Sequence, residues 1–345
     1  MSMKGVIAAD PHRLNEPLHE EMLRILSAEA DPAAFDRLLN DPAFAEIEAY
    51  PHTGAFGRSY HPTIHGNHDR SFVVSAKGAA ILICLCAPLA GKLGFYGMPL
   101  RIALRRGLGA ETRLAAMQLA FSRLDELAQT HGLREVLVLD ERPEGASTIE
   151  KACRLRSATM DPRVVARVDL TAGPAAWRAA LRKSSRSLIN WGRRNLLISY
   201  VNKEMPDRTL FDQYRAFHAD VAGRVTRAEE SWNVMYEWIA QGGGELTLAF
   251  LEGKLIAGSM FIDGKGTSIY ASGVYDRTQF DKPLAHYPLW LGIERAQARG
   301  MKVLELGEVP ERSAGNEKEY QIGYFKRGFA TRIETQLVWR WPIGS

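Results

Sequence analysis

The sequence is poor in cysteine, which excludes a disulfide-stapled fold. Three cysteines among 345 residues, Cys84, Cys86 and Cys153, are too few for a disulfide framework. Cys84 and Cys86 alternate within an apolar run, a pattern typical of a buried strand with reduced thiols. A redox or metal role for this Cys-Leu-Cys segment is the weaker alternative.

Long apolar runs are missing as well. The longest uncharged apolar segment, "GAAILICLCAPLAG", is shorter than the ~20 residues that span a bilayer. The N-terminal stretch "MSMKGVIAADPHRLNEPLHEEM" has no apolar core of signal-peptide length. We therefore expect a cytoplasmic protein, with a peripheral contact to the inner face of the membrane left open.

Common catalytic fingerprints are absent from the sequence. It contains no Gly-x-Ser-x-Gly elbow, Walker loop or dinucleotide fingerprint, so covalent nucleophilic catalysis is not indicated. His52, His61, His65, His68 and Asp69 cluster, yet no zinc spacing pattern accompanies them. We expect no metal here, and a polar loop beside a cleft is the preferred interpretation over a zinc site.

What is present is a repeated order of elements, once in residues 71–140 and again in 246–309. Each copy predicts two strands around a turn, a third strand, a basic loop, an amphipathic helix and a final apolar strand. In the second copy Leu289, Ile293 and Ala296 recur at helical spacing. The pattern predicts an α/β (α+β) protein with mixed central sheets flanked by helices.

The chain length suits two such domains of ~150 residues each. We expect the first at residues 1–160 and the second at 161–345. The last strand, "IETQLVWRWPI", either completes the second domain or returns to the first.

Four segments that cover about half the chain carry a family resemblance: "WRAALRKSSRSLINWGRRNL", "AFLEGKLIAGSMFI", "SIYASGVYDRTQFDKPLAHYPLWLGIERAQARGMKVLELGEV" and "YFKRGF". With them the second copy resembles the FemAB family, the peptidoglycan-bridge aminoacyl transferases built from two GNAT-like acyltransferase domains. It also resembles their relatives among polysaccharide-linked acetyltransferases.

The resemblance implies an N-acyltransferase that forms an amide on an amino group of a cell-envelope precursor. The acceptor would be a nucleotide- or lipid-linked amino sugar or peptide, and the donor acyl-CoA or aminoacyl-tRNA. Neither copy carries the Gln/Arg-x-x-Gly-x-Gly/Ala signature of acyl-CoA sites, which agrees with a tRNA donor. The alternatives are a non-catalytic module that binds RNA or anionic membrane, and a purely structural first domain.

Residues 163–200 are strongly basic, with eight cations and one acid, a net charge of +7. Arg178, Arg182 and Arg186 are spaced by four, so we expect them to line one helix face. RNA phosphates, a nucleotide-sugar diphosphate or anionic lipid head groups would relieve their mutual repulsion. A solvated positive face is the alternative.

Basic loops precede the helix of each copy. The first-copy loop, "RIALRRGLGAETR", combines cations, two glycines and a helix start, which suits anion binding, with a solvated basic loop as the alternative. The second-copy loop offers Arg277 and Lys282 without a glycine, and Tyr270 lies in the preceding matched segment. These three are candidates for substrate binding.

Candidate bases follow the last strand of the second copy. Glu305 and Glu308 stand at its end, where α/β sheets usually present a site. A carboxylate there could deprotonate the attacking ammonium, and His286 is a weaker candidate. For Glu305, an exposed structural role is the alternative.

Two further pairs of cations are candidates for substrate contact. The resemblance implies that Lys326 and Arg327, in "YFKRGF", bind phosphate of donor or acceptor, the alternative being that they snorkel from a core strand. Arg224 and Arg227 lie at a break between two predicted helices that borders the active cleft in the family.

Overall fold

The computed structural model describes residues 23–141, 147–279, 281–310 and 316–344, which form fourteen strands and eleven α-helices. The N-terminal stretch, residues 1–22, lies outside these residues. The strands are β1 (Leu23–Ser27), β2 (Phe72–Ala76), β3 (Ala79–Leu85), β4 (Ala87–Leu89), β5 (Lys92–Gly94), β6 (Arg101–Leu104), β7 (Glu135–Asp140), β8 (Thr159–Asp169), β9 (Leu197–Val201), β10 (Gly244–Leu251), β11 (Lys254–Asp263), β12 (Thr267–Tyr275), β13 (Val303–Glu308) and β14 (Arg332–Pro342). The helices are α1 (Pro32–Leu39), α2 (Ala45–Ala49), α3 (Ala55–His65), α4 (Ala110–Thr130), α5 (Thr148–Arg154), α6 (Gly173–Ala180), α7 (Lys183–Asn195), α8 (Arg208–Ala222), α9 (Glu229–Ala240), α10 (His286–Ala298) and α11 (Glu317–Arg327).

The chain divides into two compact units. The first comprises the described parts of 1–48, 65–163 and 335–345, and the second comprises 49–64 and 164–334. The main division falls between residues 163 and 164, and two segments depart from a linear division. The expected bounds of 1–160 and 161–345 stay a prediction. Residues 49–64 belong to the second unit, and the C-terminal segment belongs to the first.

The first unit contains two groups of paired strands. One sheet has the order β1-β2-β3-β6 with antiparallel neighbours, and every residue of β2 and β3 is buried. In the second group β5 runs parallel to β7, and β14 lies antiparallel to β7 from Leu337 to Pro342. Helix α4 covers this core, where Phe121 stacks on Trp341 with ring centroids 5.0 Å apart.

The second unit is built on strands in the order β8-β13-β12-β11-β10-β9. Neighbours are antiparallel except β12 and β13, which pair in parallel from Thr267↔Val303 to Ile269↔Glu305. Beyond this point both strands continue without pairing to each other, so they part at their carboxyl ends. Helix α10 connects them, and its predicted apolar face is fully buried, as Leu289 and Ile293 show.

The predicted α/β architecture with mixed sheets is confirmed, and the element order of the second copy is β10-β11-β12-α10-β13. In the first copy the three short strands β4, β5 and β6 replace the single third strand that the sequence suggested. Strand β6 takes up the first half of the expected basic loop, which therefore begins only at Arg105. None of the described helices combines the length and apolar content needed to cross a bilayer.

The prediction that Arg178, Arg182 and Arg186 line one helix face is wrong. Helix α6 ends at Ala180 and α7 begins at Lys183, with extended backbone between them (ψ 133° at Leu181 and 138° at Arg182). The break has a packing cause, because the side chain of Leu181 is buried in the core under the sheet.

The segment "YFKRGF" does not belong to a core strand. It ends helix α11, which begins after Asn316, whose side chain accepts a hydrogen bond from the Glu319 N–H. The idea that Lys326 and Arg327 snorkel from a core strand is therefore wrong, and both cations lie in the last turn of a helix.

Candidate functional site

A pocket of about 930 Å³ lies in the first unit, where β6 ends and α4 begins. Its walls come from β6, the loop Arg105–Gly109, the first turns of α4, the end of β7, the start of α5 and the residues near Glu46. The carboxyl ends of β6 and β7 thus meet at this pocket, and strand ends of this kind are where α/β folds present ligand sites.

The loop into α4 leaves its backbone open to the pocket. Gly107 has φ +82°, a left-handed conformation that favours glycine, and a Cβ on Gly107 or Gly109 would meet no atom within 4 Å. Gly109 is the N-cap residue of α4 and supplies no capping side chain. The first N–H groups of the helix, with the positive end of its dipole, therefore face a space that suits an anion.

The cations of this loop have different roles. Arg105 is tied down, since its Nε donates to the Ala80 carbonyl (2.6 Å) and its guanidinium pairs with Asp41 (2.7 Å). Arg106 and Arg113 are exposed, and neither forms an ion pair within the part of the chain that the structure describes. These two remain available to an anion in the pocket.

Carboxylates also line the pocket. Glu46 keeps an exposed surface, but desolvation by the surrounding pocket wall raises the pKa of its carboxyl group above the ordinary value. Glu141 acts in the same direction, whereas Arg106 and Arg101 oppose it. Asp140 accepts a hydrogen bond from the Ser147 hydroxyl (2.6 Å). A carboxylate with a raised pKa can take a proton from an ammonium group more readily than an ordinary one.

These acids were not among the residues predicted from the sequence. Asp140 and Glu141 directly follow the apolar strand β7, the same placement that drew attention to Glu305 and Glu308, so that signal was available. Glu46 lies about 60 residues before the loop it faces, and no local pattern marks it.

At the strand end of the second unit, Glu305 is buried, with 3% of its surface exposed. Its Oε1 accepts a hydrogen bond from the Tyr50 hydroxyl (3.0 Å), and its Oε2 accepts two from Arg167 (2.8 and 3.1 Å). Arg167 also pairs with Glu334. The alternative of an exposed structural glutamate is wrong, and a role as general base stays a prediction.

Lys326 and Arg327 lie at the carboxyl end of β13. The Lys326 ammonium donates to the Glu308 carbonyl (3.3 Å), and a Cβ on Gly307 would stand 3.1 Å from that nitrogen. Arg327 donates to the Val309 carbonyl (3.0 Å). The Glu308 side chain is exposed beside them, and phosphate binding by the two cations stays a prediction.

His286 is the first residue of α10 and packs among aromatic rings. Its ring centroid lies 5.1 Å from that of Phe325 and 5.9 Å from that of Phe329. Burial, aided by the nearby Arg182 charge, lowers the pKa of His286 to about 4, so the imidazole is neutral near pH 7. The Arg182 guanidinium itself lies 3.6 Å from the centroid of the Tyr324 ring and donates to the Tyr324 carbonyl.

The other predicted contacts are dispersed over the second unit. Arg224 is exposed after α8, whereas the Arg227 guanidinium donates to the Tyr60 hydroxyl (3.1 Å). Arg277 is exposed and Lys282 lies 3.4 Å from the carboxylate of its neighbour Asp281.

Tyr270 lies within the core of the second unit. Burial raises the pKa of its hydroxyl to about 12, and its ring packs 5.6 Å from that of Phe261. A Cβ on Gly273 would overlap the hydroxyl, so glycine is required beneath it. The structure thus fixes the position of Tyr270, while its contact with a substrate stays a prediction.

The clustered histidines do not come together as a metal site among the residues described, which hold no group of three or more His, Cys, Asp or Glu side chains placed around one point. His52 and His61 lie in the second unit with ring centroids 5.4 Å apart. His65 and His68 belong to the first unit.

Similarity to known proteins is confined to the fold. No protein-family profile matches the sequence, and no curated protein matches it. The structure of FemX superposes with a TM-score of 0.62 at 12% identity, covering 87% of this chain and 95% of FemX. L-PGS from Bacillus licheniformis gives 0.57 at 13% identity, covering 91% of this chain and 93% of the other.

A tandem GNAT protein from the clavulanic acid biosynthesis pathway gives a TM-score of 0.56 at 12% identity, covering 94% of this chain and 99% of the other. The chain therefore has a FemAB-like fold with two GNAT-type domains, as its sequence predicted. At these identities the likeness concerns the fold alone.

Proposed function

We propose that the protein is an N-acyltransferase that forms an amide between a donor acyl group and an acceptor amine. The donor is acyl-CoA or aminoacyl-tRNA. The observation that carries the proposal is the pocket of about 930 Å³ at the glycine-containing loop of the first unit, where cations, a helix start and carboxylates meet.

The loop has the properties that a phosphate-bearing donor requires. Gly107 and Gly109 leave open space above the backbone, and Arg106 and Arg113 offer guanidinium groups beside the start of α4. Both donor classes carry phosphates, the pyrophosphate of CoA and the phosphodiesters of the tRNA end, so either fits this combination of N–H groups and cations.

The chemistry is direct aminolysis. The amine lone pair attacks the acyl carbon, a C–N bond forms, and the C–S bond of a thioester or the C–O bond of an aminoacyl ester breaks. One proton leaves the attacking nitrogen, and the departing sulfur or oxygen takes up one proton. Glu46 is proposed to accept the proton of the amine, because its raised pKa brings it nearer to the basicity that this transfer needs.

We propose a cell-envelope precursor as the acceptor, namely a nucleotide- or lipid-linked amino sugar or peptide. Support comes from the likeness of the fold to FemX and from the cations at both strand ends, including Lys326 and Arg327. Such an acceptor would place the protein in the cytoplasm or at the inner face of the membrane.

A ligand screen by thermal unfolding tests the donor. The intact protein is heated with acetyl-CoA, bulk aminoacyl-tRNA or deacylated tRNA, and amide formation on UDP-linked amino sugars is then followed by mass spectrometry. A rise in Tm with acetyl-CoA alone would exclude the tRNA donor. A rise with aminoacyl-tRNA that exceeds the rise with deacylated tRNA would exclude acyl-CoA as the main donor.

A non-catalytic module that binds RNA or anionic membrane is the second candidate. It is favoured by five cations of α6 and α7, Arg178, Lys183, Arg186, Arg193 and Arg194, which form no ion pair with any described residue. Strongly salt-dependent binding to RNA or vesicles, without any response to a donor and without turnover, would replace the acyltransferase proposal.

A further inference from the structure

A groove of about 420 Å³ on the second unit lies between α6, α7 and α10. We propose that it binds the diphosphate group of a nucleotide-linked or lipid-carrier-linked substrate. The assignment of this ligand as the acceptor rests on the proposed function, whereas the binding itself does not.

The groove is built from two helix faces over an apolar floor. Arg186, Asn190 and Arg193 stand at i, i+4 and i+7 on α7, and Arg178 faces them from α6. The floor is formed by buried side chains, Leu181, Ile189 and Trp290. The hydrogen-bonding groups therefore converge on one concavity instead of spreading over a convex surface.

Among the residues that the structure describes, the three arginines of the groove form no ion pair. Arg178 lies over the ring of Trp290 at 6.0 Å. Arg186 makes a long hydrogen bond to the Ala179 carbonyl (3.4 Å). Like charges around one concavity repel each other, and a bound anion relieves that repulsion.

Charge and size favour a diphosphate over other anions. Guanidinium groups bind phosphoryl oxygens in pairs, and three of them match the charge of a diphosphate ester, about two to three negative charges. The volume falls within the range of about 300–1,000 Å³ that small-molecule sites occupy. It exceeds what a single phosphate needs and leaves room for the adjoining sugar or chain.

The shape and lining of the groove fit a small diphosphate better than a membrane surface or RNA. Among the apolar residues of α7, Ile189 is buried and Leu188 and Trp191 are half-buried, so this helix offers no exposed apolar face of the size that enters a bilayer. Neither α6 nor α7, both described in full, exposes an aromatic ring on which a base could stack, since Trp177 is buried and Trp191 is half-buried.

Calorimetric titration of the full chain with UDP, farnesyl diphosphate and inorganic pyrophosphate tests the proposal, in the absence of any acyl donor. The groove variant carries Arg186→Gln and Arg193→Gln. The control variant carries Lys183→Gln and Arg194→Gln, which remove the same charge from the same helix outside the groove. We expect the groove variant to weaken diphosphate binding by about tenfold or more and the control by less than about twofold.

The outcomes separate the alternatives. Tighter binding of UDP identifies a nucleotide as the source of the diphosphate, and tighter binding of farnesyl diphosphate identifies a lipid carrier. Equal losses in both variants, or no binding of any diphosphate, overturn the proposal. The proposal is also overturned if the groove variant loses binding of an RNA oligonucleotide or of anionic vesicles but keeps its binding of diphosphates.

Circular dichroism of each variant shows that it is folded before its titration is interpreted. Diphosphate binding without amide formation would overturn the proposed function and leave the groove intact. Amide formation by the groove variant with an unchanged KM for the acceptor would overturn the assignment of the groove and leave the proposed function intact.

Discussion

The two strand ends differ although the same order of elements builds both. In the first unit a short loop with two glycines leads from β6 into α4, and the space above it is an open pocket. In the second unit the segment before α10 has no glycine and is held by Asp276, whose pKa is lowered to about 2 by hydrogen bonds from Thr278.

In the second unit, side chains of the protein itself fill the space at the carboxyl ends of β12 and β13. Glu305 is engaged by Arg167 and Tyr50, and His286 packs against Phe325 and Phe329. Loop composition therefore decides whether a duplicated strand end stays open or is filled. We infer that the first unit carries the proton transfer and that Glu305 and His286 at the second strand end are chiefly structural.

The largest expected effect is the loss of activity when the proposed base Glu46 is replaced. Glu46→Gln should lower kcat by about 100- to 10,000-fold, the usual range for a general base, because the amine loses its proton acceptor. In the wild type kcat should fall on acidification through the raised pKa of Glu46, since only the ionised carboxylate accepts a proton. Steady-state kinetics from pH 5 to 9 measures both.

Glu126→Gln on the exposed side of α4 serves as the matched control and should leave kcat unchanged within about twofold. A kcat of Glu46→Gln equal to that of the control would remove Glu46 from the mechanism.

The second prediction concerns stability. Glu305→Ala should lower the free energy of unfolding by about 3 kcal/mol, because Arg167 would keep its buried charge with only part of its pairing. Glu308→Ala, at an exposed position on the same strand, should change it by less than about 0.5 kcal/mol. Urea unfolding measures both variants.

If Glu305→Ala keeps the stability of the wild type but loses turnover, the general base lies in the second unit and not in the first.

A third prediction uses the titration of His286. Its pKa in the folded protein, about 4, lies below the ordinary value of about 6.5, so acidification protonates the unfolded chain first. The stability it contributes is complete above about pH 6.5 and is lost as pH falls toward 4, up to roughly 2 to 3 kcal/mol. His286→Leu should show a smaller loss of stability between pH 7 and 4.5.

Urea unfolding at several pH values gives the difference between the wild type and His286→Leu. Parallel curves for the two proteins would show that the aromatic cluster does not hold the imidazole neutral.

The smallest expected effect is on the KM of the donor when a candidate phosphate contact of either unit is replaced. Arg106→Gln should raise the donor KM by about tenfold, as the loss of one charge-assisted contact does. Lys326→Ala should raise it by less than about twofold if the donor binds in the first unit. The opposite ranking would place the donor phosphate at the strand end of the second unit.

Much of the fold could be predicted from the sequence because local patterns carry it. The helical spacing of Leu289 and Ile293 marks a face that is fully buried in α10, and apolar runs mark β3 and β7. The break between α6 and α7 escaped prediction, since it arises from the packing of Leu181 and not from a proline or glycine. The position of "YFKRGF" on a helix was missed for a similar reason, because its cations and rings match no single period.

The sequence by itself determined the duplicated α/β architecture, the glycine-containing basic loop and the concentration of positive charge between residues 163 and 200. These features depend on neighbouring residues, whose periodicity and charge can be read directly along the chain. Only the tertiary structure decided that Glu305 is buried between Arg167 and Tyr50, that Glu46 faces the loop of the first unit, and which arginines converge on one groove. Such relations join residues far apart in sequence, and they follow from which strands and helices pack together.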